Sequence, residues 1–280
     1  MKTDLLIIDG LNLLFRMFFG IPAPIRNSDG KDIRGIIGFT GSLIKIIEEF
    51  EPYKTIVIFD TETSLDDNEN DYYKANRIKD WNQVEDDQNP FTQLNEIIKV
   101  LEFLKIEYRY AELCEADQYI ANICYENTVI NKVIVSTDKD YWQLINNNTS
   151  VFYPRGKKSV LYDEEKVYEK IGVLPINVPE YKALVGDSSD GIPGIKGIGP
   201  KTAVEIINEF KSIDNIKSEI GKSENKKVYD KLSNELEQLE EYYKLVKLDY
   251  NEKLNTSIEI AKDEKLKYKT MEILEILKIR

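Results

Sequence analysis

Three short apolar runs, each followed by an aspartate, constrain this chain more than anything else in it. "LLII" (5–8), "TIVIF" (55–59) and "KVIV" (132–135) are brief, rich in isoleucine and valine, and lack the polar alternation of a half-exposed strand. Such runs predict strands covered on both faces. Asp9 and Asp60 follow the first two directly, and Asp138 follows the third after a Ser-Thr step. Between the first two lies "GFTGSLIKIIEEF", with Leu43, Ile46, Ile47 and Phe50 at helical spacing, and "FTQLNEIIKVLEFLKIEYRY" (91–110) repeats that period before the third. Strands alternating with helices predict an α/β fold: a mostly parallel central sheet flanked by helices. Ligands of such sheets sit beyond the carboxyl ends of the strands, so Asp9, Asp60 and Asp138 are expected on one rim.

Composition narrows the chemistry. The chain of 280 residues has no histidine, which excludes Ser-His-Asp and Cys-His catalysis and imidazole-ligated zinc. A formal net charge of −12 argues against a general electrostatic grip on polyanions, so such a partner must be held locally. Cys114 and Cys124 cannot make a four-thiolate zinc site, and they read as buried core. No start resembling a signal peptide and no apolar run of membrane-spanning length occurs, so a soluble, cytoplasmic protein without membrane contact is expected.

More acids follow. "CEADQYIANICYE" offers Glu115 and Asp117 at the start of a helix, "STDKDYWQL" offers Asp138 and Asp140 just after a strand, and "VGDSSDG" offers Asp187 and Asp190. Taken singly, each pair reads as ordinary helix capping. Together with Asp9 and Asp60 they form a set of acids that the inferred rim would gather. Packing them without counter-charge would cost more than the net stability of a domain, about 5–15 kcal/mol. An all-oxygen, histidine-free set suits Mg²⁺ or Mn²⁺, with two ions about 3.5–4 Å apart.

The stretch "GIPGIKGIGPKTA" (191–203) is not a phosphate-binding Walker loop, because Pro200 stands where the lysine belongs, and as a dinucleotide fingerprint it lacks a third glycine. It fits a hairpin between two helices, entering the second at Pro200 with Ala203, Ile206, Ile207 and Phe210 buried. Amides at that helix start can meet a phosphate without reading sequence. Residues 191–231 hold eight lysines against six acids, a local excess of positive charge. Lys196, Gly197, Gly199, Lys201 and Thr202 are the candidate DNA contacts there. A plain helix-turn-helix corner remains the bland reading. A second candidate contact, "DYYKANR" with Tyr73, Lys74 and Arg77, sits inside an acidic, aperiodic stretch from Thr61 to about Pro90 that otherwise reads as a surface loop.

On "IDGLNLLFR", "IFD" (58–60), "YKANR" (73–77), "EADQ" (115–118), "STDKD" (136–140), "VGDSSDGIPGIKGIGPKTA" and "LEEYYKLVKLD", the chain resembles the 5′ nuclease (flap endonuclease) family, in the manner of its compact bacterial and bacteriophage members. The resemblance implies a PIN-like nuclease core over residues 1–176, an arch at about 61–95, and a helix-three turn-helix DNA-binding region with C-terminal helices over 177–280. It implies that Asp9, Asp60, Glu115, Asp117, Asp138, Asp140, Asp187 and Asp190 hold two metal ions, Asp138 and Asp187 among the catalytic residues. Lys74 and Arg77 would contact the scissile phosphate, Tyr73 would stack near terminal bases, and Arg16 would meet a further phosphate. A potassium ion at the hairpin is implied too. The implied activity is 5′–3′ exonuclease and flap endonuclease cleavage of DNA with a 5′ flap, nick or overhang, or of an RNA–DNA primer, by a monomer working with a separate polymerase and ligase.

Two departures qualify this. Gln118 stands where the family, usually reading Glu-Ala-Asp-Asp, has a further carboxylate, so one metal position is expected to be weaker. "TETSLDDNEND" replaces the Phe-Arg pair usual after the second acid. Two rival classes stay open from sequence: a branched-DNA-binding protein with an impaired metal site, and a metal-dependent ribonuclease on a related core.

Overall fold

The structure, a computed structural model, describes residues 2–61, 81–222 and 226–279. Tyr73, Lys74 and Arg77 lie outside the described residues, as does most of the expected arch.

Six strands form one sheet in the order β3-β2-β1-β4-β5-β6: β1 (Leu5–Asp9), β2 (Lys54–Asp60), β3 (Glu107–Ala111), β4 (Lys132–Val135), β5 (Thr149–Tyr153) and β6 (Val160–Tyr162). All pairings are parallel except β5 with β6. The three runs read as strands are β1, β2 and β4, within a residue at each end. They are apolar throughout because both faces are covered. Leu6, Ile8, Val57 and Phe59 face a core made with α1 (Gly10–Gly20), α2 (Arg34–Phe50) and α3 (Leu94–Leu104), whereas Leu5, Ile7, Ile56 and Ile58 face α4 (Ala116–Glu126).

The helical period expected over 91–110 needs correction. α3 ends at Leu104, where Lys105 takes a left-handed conformation (φ 54°), and Glu107–Ala111 is the edge strand β3. Its alternating Tyr and charged residues suit a half-exposed edge. Where the expected loop re-enters the described residues, it forms short 3₁₀ turns, and Trp81 packs edge-on against Phe15 of α1 (5.2 Å) and Phe91 (5.5 Å).

A separate apolar cluster holds the helices after β6 together: α6 (Val178–Val185), α7 (Pro200–Phe210), α8 (Ile213–Glu219), α9 (Lys226–Leu232) and α10 (Leu236–Val246). α5 (Glu164–Ile171) leads into them. From Leu248 the chain returns to the sheet. Leu248 joins the α4-side core, and α11 (Thr270–Ile276) inserts Ile273 and Leu274, both 0% exposed, into the opposite core. Each such burial contributes about 1.5–3 kcal/mol.

Candidate metal centre and candidate nucleic-acid interface

The strand order reverses direction about β1 and β4, and a crevice opens at the carboxyl ends of strands on either side of such a switch. Asp9 ends β1 and caps α1, its Oδ1 accepting from the Asn12 amide (3.1 Å). Its Oδ2 accepts from the Ser136 hydroxyl (3.0 Å) and the Tyr141 hydroxyl (3.1 Å). Burial, joined by the charges of Asp60 and Asp138, pushes the Asp9 carboxyl up to about 7 against the opposing pull of the Asn12 amide and the Ser136 hydroxyl. The mutual repulsion of Asp9, Asp60 and Asp138 marks a concentration of negative charge at this rim.

Asp60, at the end of β2, accepts from the Ala116 amide (2.6 Å) and so caps α4 from the neighbouring strand. That contact brings Glu115 and Asp117 to the same rim. The Cys114 thiol, raised to about 12 by burial and by Asp117, Asp60 and Glu115, reports the same concentration of negative charge. Asp138 follows β4; its amide donates to Ser136 Oγ (3.1 Å), and its Oδ1 accepts from the Asp140 amide (2.9 Å). The turn carrying Asp138 and Asp140 therefore joins the Asp9 side to a second acid group. There, carboxylate oxygens of Asp140, Asp187 and Asp190 all lie within 4.8 Å of one another.

Lys182, a residue the sequence reading did not single out, occupies that second group. Its ammonium bonds to Asp140 Oδ1 and lies 2.7 Å from Asp187 Oδ2, although Lys182 is only 7% exposed. Burial raises Asp187, but Lys182 and Ser189 more than offset it, and the carboxyl is held below its usual range. Three carboxylates thus meet around one ammonium. Such clustered hard oxygen donors fit a divalent cation of the magnesium class. A lysine amid the apolar residues of "VPEYKALV" was the available signal.

Gln118 does not extend the acid set. Its amide donates to the Asp249 carbonyl and to Asn122 Oδ1 (3.3 Å). Asn122 in turn donates to the Asn251 carbonyl (2.6 Å) and accepts from the Asn251 amide (3.0 Å). Tyr119 and Tyr125 donate to the carbonyls of Asn255 (3.0 Å) and Leu248 (2.8 Å). One face of α4 thus fastens the returning chain behind the acids. Gln118→Asp, lacking a donor, is expected to lower unfolding free energy by about 1 kcal/mol in denaturant titration.

The hairpin lies between α6 and α7 as its spacing predicts. Pro200 opens α7, and Ala203, Ile206, Ile207 and Phe210 are its buried residues. At the hairpin's base Gly186 and Gly194 cross so closely that a Cβ on Gly194 would lie 2.4 Å from the Gly186 nitrogen, and both have positive φ (89° and 71°). Ile195 and Ile198 are buried, while Lys196, Gly197, Gly199 and Lys201 are exposed and Thr202 is half-buried. Neither Lys196 nor Lys201 enters an ion pair among the described residues. Lys231 of α9 donates to the Gly197 carbonyl (2.5 Å), which fixes the hairpin's outer turn. Arg16 sits with its guanidinium 5.3 Å from the centre of the Tyr153 ring.

Residues 4–172 match the family model described as 5′-3′ exonuclease, N-terminal resolvase-like domain, and residues 173–270 match 5′-3′ exonuclease, C-terminal SAM fold. The chain is 34% identical over 257 residues to a 5′-3′ exonuclease of Aquifex aeolicus, covering 89% of this chain and 82% of that protein. It is 37% identical over 227 residues to DNA polymerase I of Caldicellulosiruptor bescii, covering 78% of this chain but 26% of that much longer protein. In three dimensions it is similar to the T5 5′-exonuclease with divalent zinc bound, at a TM-score of 0.69 and 24% identity, covering 88% of this chain and 89% of that one; at that identity the likeness shows the fold.

Proposed function

Because the chain belongs to the 5′-3′ exonuclease family, we propose that it hydrolyses phosphodiesters of DNA near the junction of a duplex and a 5′ single strand, as exonuclease and flap endonuclease. The observation that carries this is the convergence of acids from β1, β2, α4, the turn after β4 and the α6–α7 connection beside a cationic hairpin.

Asp9, Asp60, Glu115, Asp117 and Asp138 would hold one divalent ion and Asp140, Asp187 and Asp190 another. Such ions, Mg²⁺ or Mn²⁺, would supply Lewis acidity and a hydroxide-like water near neutral pH. The protein's own contribution is to hold the carboxylates in place. Ser136, Tyr141 and the Asn12 amide fix both oxygens of Asp9, the Asp60–Ala116 contact fixes the start of α4, and Lys182 restrains Asp140 and Asp187. The hairpin presents Lys196, Lys201 and amides around Gly197, Gly199 and Thr202 to the duplex backbone. Lys74 and Arg77 would add positive charge at the scissile phosphate, with Tyr73 stacking on a base and Arg16 meeting a further phosphate. The Gly197 carbonyl already takes Lys231, so a potassium ion at the hairpin would draw its donors from other carbonyls.

The proposal extends to a monomer that clears flaps, nicks or RNA–DNA primers alongside a separate polymerase and ligase, with a domain boundary near residue 176. Among the described residues no helix is long and apolar enough to cross a membrane. Incubating end-labelled 5′-flap, nicked and blunt DNA and single-stranded RNA with Mg²⁺, Mn²⁺ or EDTA tests the reading. Short 5′ products from the flap and nick that vanish with EDTA are expected. Branched-DNA binding without products would point to the impaired-site rival, and RNA cleavage with no need of a duplex to the ribonuclease. Lys201→Ala should reduce the slope of log Kd against log salt by about 1 for duplex DNA, with turnover at saturating substrate little changed.

A further inference from the structure

The rim carries a second cationic feature that neither the hairpin nor the acids account for. β5 and the antiparallel β6 are joined by "PRGKKS" (154–159), which leaves the sheet at the carboxyl end of β5. The Ser136 amide donates to the Phe152 carbonyl (3.2 Å), so this loop begins beside the turn that carries Asp138 and Asp140. It is a built turn. Lys158 and Ser159 amides donate to the carbonyls of Arg155 (3.0 Å) and Gly156 (3.1 Å), and Ser159 Oγ accepts from the Arg155 amide (2.8 Å) while donating to the Gly156 carbonyl (2.8 Å). Pro154 is buried beneath it.

Arg155, Lys157 and Lys158 are exposed, and none enters an ion pair among the described residues. Behind them Arg16 lies over the Tyr153 ring, its Nε buried without a hydrogen-bond partner. Counter-charge for Asp140 and Asp187 comes from Lys182 instead. In a chain of net charge −12, three such cations in four residues, held in a shaped turn next to the acid rim, are set to receive an anion from outside. The loop is also within reach of anything the hairpin holds. Gly172, just after α5, faces Val204 of α7 closely enough that a Cβ there would lie 3.1 Å from Val204 Cγ2. The eight residues of α5 and three of β6 span about 22 Å end to end, so the loop lies on the order of 25 Å from α7, or roughly seven base pairs.

We propose that Arg155, Lys157 and Lys158, with Arg16 behind them, form a second binding surface for the DNA backbone, gripping phosphates beside the scissile linkage while the hairpin holds the duplex farther along. This rests on the nuclease reading above. The contact is with phosphate, so it is indifferent to base sequence.

The test compares wild type, the triple variant Arg155→Gln/Lys157→Gln/Lys158→Gln, and a control removing equal charge from exposed positions elsewhere, Lys262→Gln/Lys265→Gln/Lys267→Gln. Fluorescence anisotropy with a 5′-flap DNA in EDTA, between 50 and 200 mM KCl, should show the slope of log Kd against log salt falling by about 2.7 for three lost phosphate contacts, and Kd at 100 mM rising at least about tenfold. The control should stay within about threefold of wild type. Should the triple variant melt lower than wild type, Lys157→Gln and Lys158→Gln singly must each take about 0.9 from the slope. A triple variant that binds like wild type or like the control overturns the proposal, as does one whose Mg²⁺ affinity shifts while DNA affinity stays fixed. Wild-type cleavage of the same flap with Mg²⁺ is measured in parallel: its absence counts against the nuclease reading, whereas cleavage with unaltered variant binding counts against this loop alone.

Discussion

Asp138→Asn is expected to reduce flap cleavage by about 10³-fold or more while changing the Kd for flap DNA, measured in EDTA, by less than about threefold. Asparagine keeps the volume of the side chain and its carbonyl can still accept from the Asp140 amide, so the turn after β4 should survive. What disappears is a negative charge at the junction of the two acid groups, adjacent to Asp9 on one side and to Asp140 on the other. Removing one preorganised electrostatic contribution at a reacting centre typically costs about 2.7–4 kcal/mol, or 10²–10³ in rate, and loss of a charge proposed to hold a metal extends it. Lys201→Ala should show the opposite profile, with affinity and salt dependence altered and turnover kept. Single-turnover rates and anisotropy on the same substrate separate the two. Equal losses of affinity in both variants would contradict the division between a rim that cuts and a hairpin that holds.

How much of this was legible in the sequence follows from what each element buries. β1, β2 and β4 are covered on both faces, and unbroken apolar runs announce them. β3, an edge strand, spends its charges on local pairs, Lys54 with Glu107 (3.0 Å) and Glu107 with Arg109 (2.6 Å), so its residues look like the continuation of an amphipathic helix. β6 has only three residues, all half-buried, too few to carry a period. The acids were legible as a set because most of them lie at or just beyond an element end. The groups that position them were not: Tyr141 reaches Asp9 across 132 residues of chain and Lys182 reaches Asp140 across 42, contacts that exist only once the sheet order is fixed. Gln118 was legible as a lost carboxylate, but its second role depends on residues 248–255 returning across α4.

Stability of the metal-free protein should fall as pH rises toward neutrality, and Asp9 should be a principal cause. Burial, reinforced by Asp60 and Asp138, raises its carboxyl from 3.8 to about 7, so between those values the folded state holds a proton that the unfolded chain releases. A raised acid stabilises fully below the unfolded value and loses that contribution as pH climbs through the folded one. The whole swing is about 4 kcal/mol, more than half of it between pH 5 and pH 8. Glu180 is also raised by burial, and Asp187 is lowered on balance, but both are present in an Asp9→Asn variant and cancel in the comparison. Denaturant titrations in EDTA at pH 5 to 8 should therefore show wild type losing stability relative to Asp9→Asn by that amount. Millimolar Mg²⁺ should flatten the difference, because a bound cation selects the ionised carboxylate and its binding free energy adds to the folded state. Parallel pH profiles for the two proteins in EDTA would mean that Asp9 is ionised throughout, and that the rim is screened by something other than a captured proton.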